Sequence, residues 1–123
     1  MTPKYFTRKE FACKCGCYTS NVDDRFLARL DFAREDAGIP FKINSGCRCP
    51  EHNKAVGGSA TSSHIATESK PSYAADIHCD DSVSRHQIIL SLLKAGFSRI
   101  GVAKTFIHVD SDPAKSPNVI WTY

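Results

Sequence analysis

Thr105-Phe106-Ile107-His108-Val109-Asp110 is the stretch that decides how the rest of the chain is read. Aromatic and β-branched residues alternating with other types predict a strand. Successive side chains of a strand point to opposite faces. Phe106, His108 and Asp110 therefore share one face, and Ile107 and Val109 pack into a core on the other. An imidazole and a carboxylate stand side by side on a rigid element. That pairing suits a metal ligand with a supporting or catalytic acid, and equally a solvated, hydrogen-bonded pair.

Working outward, Tyr73-Ala74-Ala75-Asp76-Ile77-His78 reads as a second, buried strand. Asp76 among Ala, Ala and Ile needs a partner, because an unpaired buried charge is costly. A metal, an arginine or a backbone N–H would each serve. Upstream, Phe41 to Ser45 alternates as a strand, and Gly46 permits a turn. Pro50 suits the first position of a short helix. The small-residue loop Val56 to Ser63 leads to His64, and its glycines let the backbone approach a ligand closely.

Two longer helices complete the pattern. Asn21 is expected to cap the first, with Phe26, Leu27, Leu30, Ala33 and Ala37 on one stripe and Gly38 as its stop. Ser84 and Gln87 predict a capping box for the second, with Ile88, Ile89, Leu92 and Leu93 as its apolar face and Gly96 at its end. Arg99 to Lys104 predicts a further strand. Asp112 to Pro117 is a loop, and Val119 to Tyr123 closes the chain. Mixed strands and helices, with near neighbours antiparallel, predict an α+β domain.

The whole chain, 123 residues, is enough for one domain with a modest core. A net charge of +3 and the lack of a basic helix argue against nucleic acid, yet favour approach to an anionic polymer such as a bacterial wall. No apolar run reaches the length of a membrane span. The N-terminus lacks an apolar h-region, so synthesis in a cytosol without a signal peptide is expected, with action at the wall after release or as part of a virion. Six cysteines, at positions 13, 15, 17, 47, 49 and 79, are many for this length. Buried thiols, a structural zinc or disulfides formed after release all remain open.

His64, Asp76 and His108 together make two imidazoles and a carboxylate, a donor set used by catalytic zinc. Around them stand Ser45-Gly46-Cys47-Arg48-Cys49-Pro50-Glu51-His52-Asn53, Gly57-Gly58, Ser62-Ser63-His64, Ala74-Ala75-Asp76-Ile77 and Phe106-Ile107-His108-Val109-Asp110. These motifs, in this order, resemble the zinc D-Ala-D-Ala carboxypeptidase family, which also holds peptidoglycan endopeptidases, many from phages. Phe11-Ala12-Cys13-Lys14-Cys15-Gly16-Cys17 is similar to the phage-type members.

The resemblance implies a single zinc DD-peptidase-like domain over 1–123, with 1–19 as a Cys-rich cover. It implies a mainly antiparallel sheet flanked by helices, of the hedgehog/DD-peptidase type, with Zn2+ on the open sheet face. His64, Asp76 and His108 become the ligands. Arg48 becomes the residue that binds a substrate carbonyl or developing oxyanion. The expected activity is zinc-dependent hydrolysis of peptidoglycan stem peptides or cross-links, as a D-Ala-D-Ala carboxypeptidase or endopeptidase, in a phage endolysin or tail protein. A monomer with no nucleic-acid or membrane partner is expected.

Two departures from the family pattern stand out. Thr67 to Ser72 lengthens the spacing between His64 and Asp76, which would either reshape the cleft rim or misplace a ligand. Phe106 and Thr105 stand where many relatives carry an acid or histidine. Asp110 is then the expected catalytic base, with His78 next, although Asp110 serves equally as an anchor for His108. The alternative from another class is a non-catalytic zinc-binding wall-binding or structural phage protein of the same fold.

Overall fold

The computed structural model describes residues 3–17 and 19–123. Met1, Thr2 and Tyr18 of the expected N-terminal cover lie outside the described residues. A short 3-10 turn, Arg8–Phe11, opens the chain. Helix α1 (Asp24–Ala37), strand β1 (Ile43–Ser45), helix α2 (Pro50–Ala55), strand β2 (Ala74–His78) and helix α3 (Ser82–Lys94) follow. Strands β3 (Arg99–Val102), β4 (Phe106–Asp110) and β5 (Val119–Thr122) complete it.

The five strands form one sheet in the order β1-β2-β4-β3-β5. All neighbours are antiparallel except β3 and β5, which run parallel. The fold is thus the expected α+β domain with a mainly antiparallel sheet. The register across β2 and β4 pairs Asp76 with His108 and Ala74 with Asp110. Across β3 and β5 it continues through Gly101 to Trp121. Asp76, His108, Gly101 and Trp121 therefore form one row on one face.

The opposite face holds the core. Ile77, Ile107, Val109 and Ile100 are fully buried there with Phe26 and Leu30 of α1 and Ile88 and Leu92 of α3. Full burial of one such side chain is worth roughly 1.5–3 kcal/mol. The alternation in β4 thus sends its apolar pair under the helices and its imidazole and carboxylate to the open side. Among the described residues no helix is long and apolar enough to cross a membrane.

Several local expectations are corrected. Asp23, not Asn21, caps α1: its carboxylate accepts from the Phe26 N–H at 3.0 Å. The Asn21 amide instead donates to the Thr67 carbonyl at 2.8 Å. Asp81, not Ser84, caps α3, accepting from the Ser84 N–H at 2.8 Å. Gln87, the other half of the expected box, donates to the Ala37 carbonyl across the helix pair. Leu93 is exposed rather than part of the α3 apolar face.

The Thr67–Ser72 segment is tied at its end to the start of α1. Its Ser72 N–H donates to the Asn21 carbonyl at 2.8 Å, and the Asp23 N–H donates to the Ser72 carbonyl at 2.9 Å. The extra length is absorbed against the start of α1.

Candidate metal centre

Each member of the donor set arrives on a different element. Asp76 and His108 face each other across β2 and β4, in register. His64 comes from the loop before β2. Its position is fixed by backbone pairing, since the Arg48 N–H donates to the His64 carbonyl at 2.8 Å. One ligand atom from each of His64, Asp76 and His108 lies within 4.8 Å of the others. The two rings meet edge to face at a centroid separation of 5.2 Å. The long His64-to-Asp76 spacing therefore does not separate the three groups.

The hydrogen bonds assign the tautomers. His64 Nδ1 lies 2.7 Å from the Gly46 carbonyl oxygen and must donate its proton there. His108 faces a carboxylate at each nitrogen, and its shorter contact, Nε2 to Asp110 Oδ2 at 2.7 Å, is the one that takes the proton of the neutral ring. The remaining nitrogens, His64 Nε2 and His108 Nδ1, both point at Asp76 Oδ1, at 3.2 and 3.0 Å. In neutral rings these are lone pairs directed at a carboxylate. Such an arrangement repels itself unless positive charge sits among the three atoms. A proton or a metal ion supplies that charge, and the mixed N and O donors suit zinc.

Titration follows the same logic. Burial would raise the Asp76 carboxyl, but hydrogen bonds from His108 and His64 hold it well below the usual carboxylate range. Burial pushes His108 down, yet Asp110 and Asp76 draw it above an ordinary imidazole. Without a metal the centre recruits protons.

Asp110 is only 2% exposed. Besides the His108 ring, it receives the Arg99 Nε–H at 2.7 Å and the Asp112 N–H at 3.2 Å, both on Oδ1. Burial opposes its ionisation, but His108 and Arg99 hold its carboxyl below the usual range. His78, the other expected base, does not line the cleft and pairs with Asp80 at 3.5 Å.

The donor set forms the floor of an open cavity of about 350 Å3. Arg48 lines it, with Nη2 3.8 Å from Asp76 Oδ2. Arg48 Nη1 also donates to Asn53 Oδ1 at 3.2 Å. Asn53 is buried and donates to the Ser59 carbonyl at 2.8 Å. A Cβ on Gly58 would stand 2.2 Å from Asn53 Oδ1. That glycine thus admits a side chain of the protein's own, which in turn holds Arg48.

Sequence reasoning missed Arg99, Asn53 and Trp121. Asn53 was visible inside the Arg48 motif, five residues on, but no periodicity assigns it to Arg48. Arg99 opens a predicted strand, and only the register shows it opposite Asp110. Trp121 lies over Gly101 and reaches the His108 ring at a centroid separation of 5.5 Å. The alternation in Val119-Ile120-Trp121-Thr122 was a usable strand signal, while its parallel pairing to β3 was not.

An open cleft on a sheet, floored by imidazoles and a carboxylate that need a cation between them, is the arrangement of a metal-dependent hydrolase. Comparison with known families narrows the class. The family described as Peptidase M15 matches residues 4–110, most of the chain, and the chain belongs to it. Members of that family are zinc-dependent metallopeptidases. The match covers His64, Asp76, His108, Arg48 and Asp110, and stops before β5. No curated protein matches the chain.

Proposed function

We propose that the protein hydrolyses peptide bonds of bacterial peptidoglycan, in stem peptides or their cross-links, with zinc held by His64, Asp76 and His108. The observation that carries this reading is the convergence of three lone-pair donors on one point of an open cleft. Zinc bound there supplies Lewis acidity and brings the pKa of water toward about 7.

The chain's own residues do the rest. The Gly46 carbonyl and the Asp110 carboxylate hold the two imidazoles in the tautomers that present lone pairs. Arg48, steadied by Asn53, offers a planar pair of N–H groups to a substrate carbonyl or developing oxyanion. Asp110 acts as a positioning residue: both its oxygens are engaged and it is buried. Lys115 and Tyr123 line the same cleft and give it a polar rim. The net charge of +3 favours approach to an anionic wall polymer. A phage lytic or tail-associated setting fits this activity and the Phe11 to Cys17 segment.

One observation favours a second reading. The carboxylates lining the cleft are Asp76 and Asp110, and both face the imidazoles. A protein that binds the wall through this cleft without turnover would look the same. Incubating the zinc-loaded chain with purified peptidoglycan separates the two. Released stem-peptide fragments, identified by mass spectrometry and lost on chelation, are the expected result. Binding to sacculi with no fragment released would reject hydrolysis and leave the wall-binding reading.

A further inference from the structure

The mechanism makes no use of the cysteines, yet four of them converge. One sulfur from each of Cys13, Cys15, Cys17 and Cys49 lies within 4.8 Å of the others. Three of the separations are resolved. Cys13 to Cys15 is 3.5 Å, Cys15 to Cys49 is 3.6 Å, and Cys13 to Cys49 is 3.8 Å. All are far too long for a disulfide, whose S–S length is about 2.05 Å. They match another geometry. With Zn–S of about 2.3 Å, a tetrahedral site places its sulfurs about 3.8 Å apart.

The surroundings fit thiolates. The Cys49 N–H donates to the Cys13 sulfur at 3.4 Å, and the His52 N–H donates to the Cys49 sulfur at 3.4 Å. The Cys13-to-Cys17 segment turns tightly enough to aim three sulfurs inward, with Gly16 at φ 96° providing a conformation other residues rarely adopt. The remaining cysteines are elsewhere and occupied differently. Cys47 is buried against the Ser72 hydroxyl at 3.1 Å, and Cys79 is buried near the Asp81 carbonyl.

We propose that Cys13, Cys15, Cys17 and Cys49 bind a second, structural zinc ion that fastens the N-terminal segment to the Arg48–Pro50 junction. Four protein ligands close the coordination sphere, so this ion has no open position for chemistry. Its effect on the cleft is positional. Cys49 directly follows Arg48 and caps α2, the helix that carries Asn53. Fixing the Cys49 sulfur fixes the residue that aims Arg48. The site stands on its own geometry and does not depend on what the cleft hydrolyses.

Elemental analysis of the full chain, purified under reductant, tests it alongside Cys15→Ser, Cys17→Ser and His108→Ala. Cys15 and Cys17 are exposed, so serine there leaves the core intact. Each cysteine variant is expected to hold one zinc equivalent fewer than the unaltered chain. Adding His108→Ala to either should remove the rest. X-ray absorption on the His108→Ala protein should show only sulfur neighbours, at about 2.3 Å. Cobalt loaded into the unaltered chain gives a readout that needs no variant: a thiolate-to-cobalt charge-transfer band. Zinc content unchanged by the cysteine substitutions would overturn the proposal. So would an intact mass showing disulfides among these four residues, with no cobalt–thiolate band.

Discussion

Asp110 is the residue on which the reading of the cleft turns. A free carboxylate beside a metal can act as a base, whereas this one is 2% exposed and engaged by His108, Arg99 and the Asp112 N–H. Asparagine keeps the shape but loses the charge that holds the His108 ring and faces Arg99. With zinc on His108 as proposed, the zinc affinity of Asp110→Asn is therefore expected to fall about 10–100-fold, the usual cost of losing a carboxylate behind a ligating histidine. A competing-chelator titration measures it. Unchanged affinity with a lost rate would instead make Asp110 a base. Arg48 is placed for the opposite result. Its guanidinium is shared between Asn53 and the side of Asp76, and lysine cannot reproduce the planar fork. Arg48→Lys should keep the zinc and the fold and lose about 10²-fold or more in turnover of peptidoglycan peptides. Turnover equal to the unaltered chain would make Arg48 structural. Asp110 could be placed beside His108 from the sequence because the two sit two apart on a strand, whereas Arg48 was offered only by the resemblance of its motif. Arg99 and Asn53 could not be placed, because a cross-strand register and a side-chain contact leave no periodicity behind.

Among the elements, β5 adds what the linear pattern hid. It pairs with β3 in parallel, which puts Trp121 above Gly101 and against His108. A Cβ on Gly101 would meet the indole at 2.6 Å, and the side chain on the short end strand yields more easily than the paired backbone. Gly101→Ala is expected to shift tryptophan fluorescence toward the solvent-exposed range while zinc is retained, because no ligand atom moves. Trp121 is the single tryptophan, so the emission reports it alone. An unchanged spectrum would mean that the strand, not the ring, had yielded. The helix caps show the same limit of sequence reading. Ser84 and Gln87 have the spacing of a box, but Asp81 lies one residue before the first turn and offers a charged acceptor. The Ser84 N–H bond holds the Asp81 carboxyl below its usual value. A depressed folded pKa adds stability above the unfolded value of about 3.9, and that stability is lost as pH falls through the folded value. Asp81→Asn keeps an acceptor without the charge. The melting-temperature gap between it and the unaltered chain should be largest near neutral pH and shrink as pH falls through the carboxylate range. A constant gap across that range would remove the charge from the explanation.

At the scale of the whole molecule, the N-terminal segment and the candidate metal centre meet at Gly46. The sequence marked Phe11 and the cysteines as a cover and Gly46 as a turn. It did not show that one lies against the other. Phe11 is fully buried, and its carbonyl accepts the Cys47 N–H at 2.8 Å. On the other side of the same short stretch, the Gly46 carbonyl accepts the His64 Nδ1 proton at 2.7 Å. Only a residue without a side chain fits between. A Cβ at position 46 would stand 2.7 Å from Phe11 Cα and 2.8 Å from Phe11 Cβ. The nearest of these is backbone, so no rotamer change relieves it. Either the cover lifts or residues 46–48 move toward the cleft. The first response costs core packing, on the order of 1–3 kcal/mol for an overpacked site. The second disturbs the bond that sets the His64 tautomer, and with it zinc affinity. Gly46→Ala is therefore expected to lower both the melting temperature and the zinc affinity, although it lies in neither the apolar core of the sheet nor the ligand set. The two readouts together locate the strain. A lower melting temperature with normal zinc binding would mean that the cover alone had moved. A protein unchanged in both would show that the N-terminal segment and the metal centre are not mechanically joined through this residue.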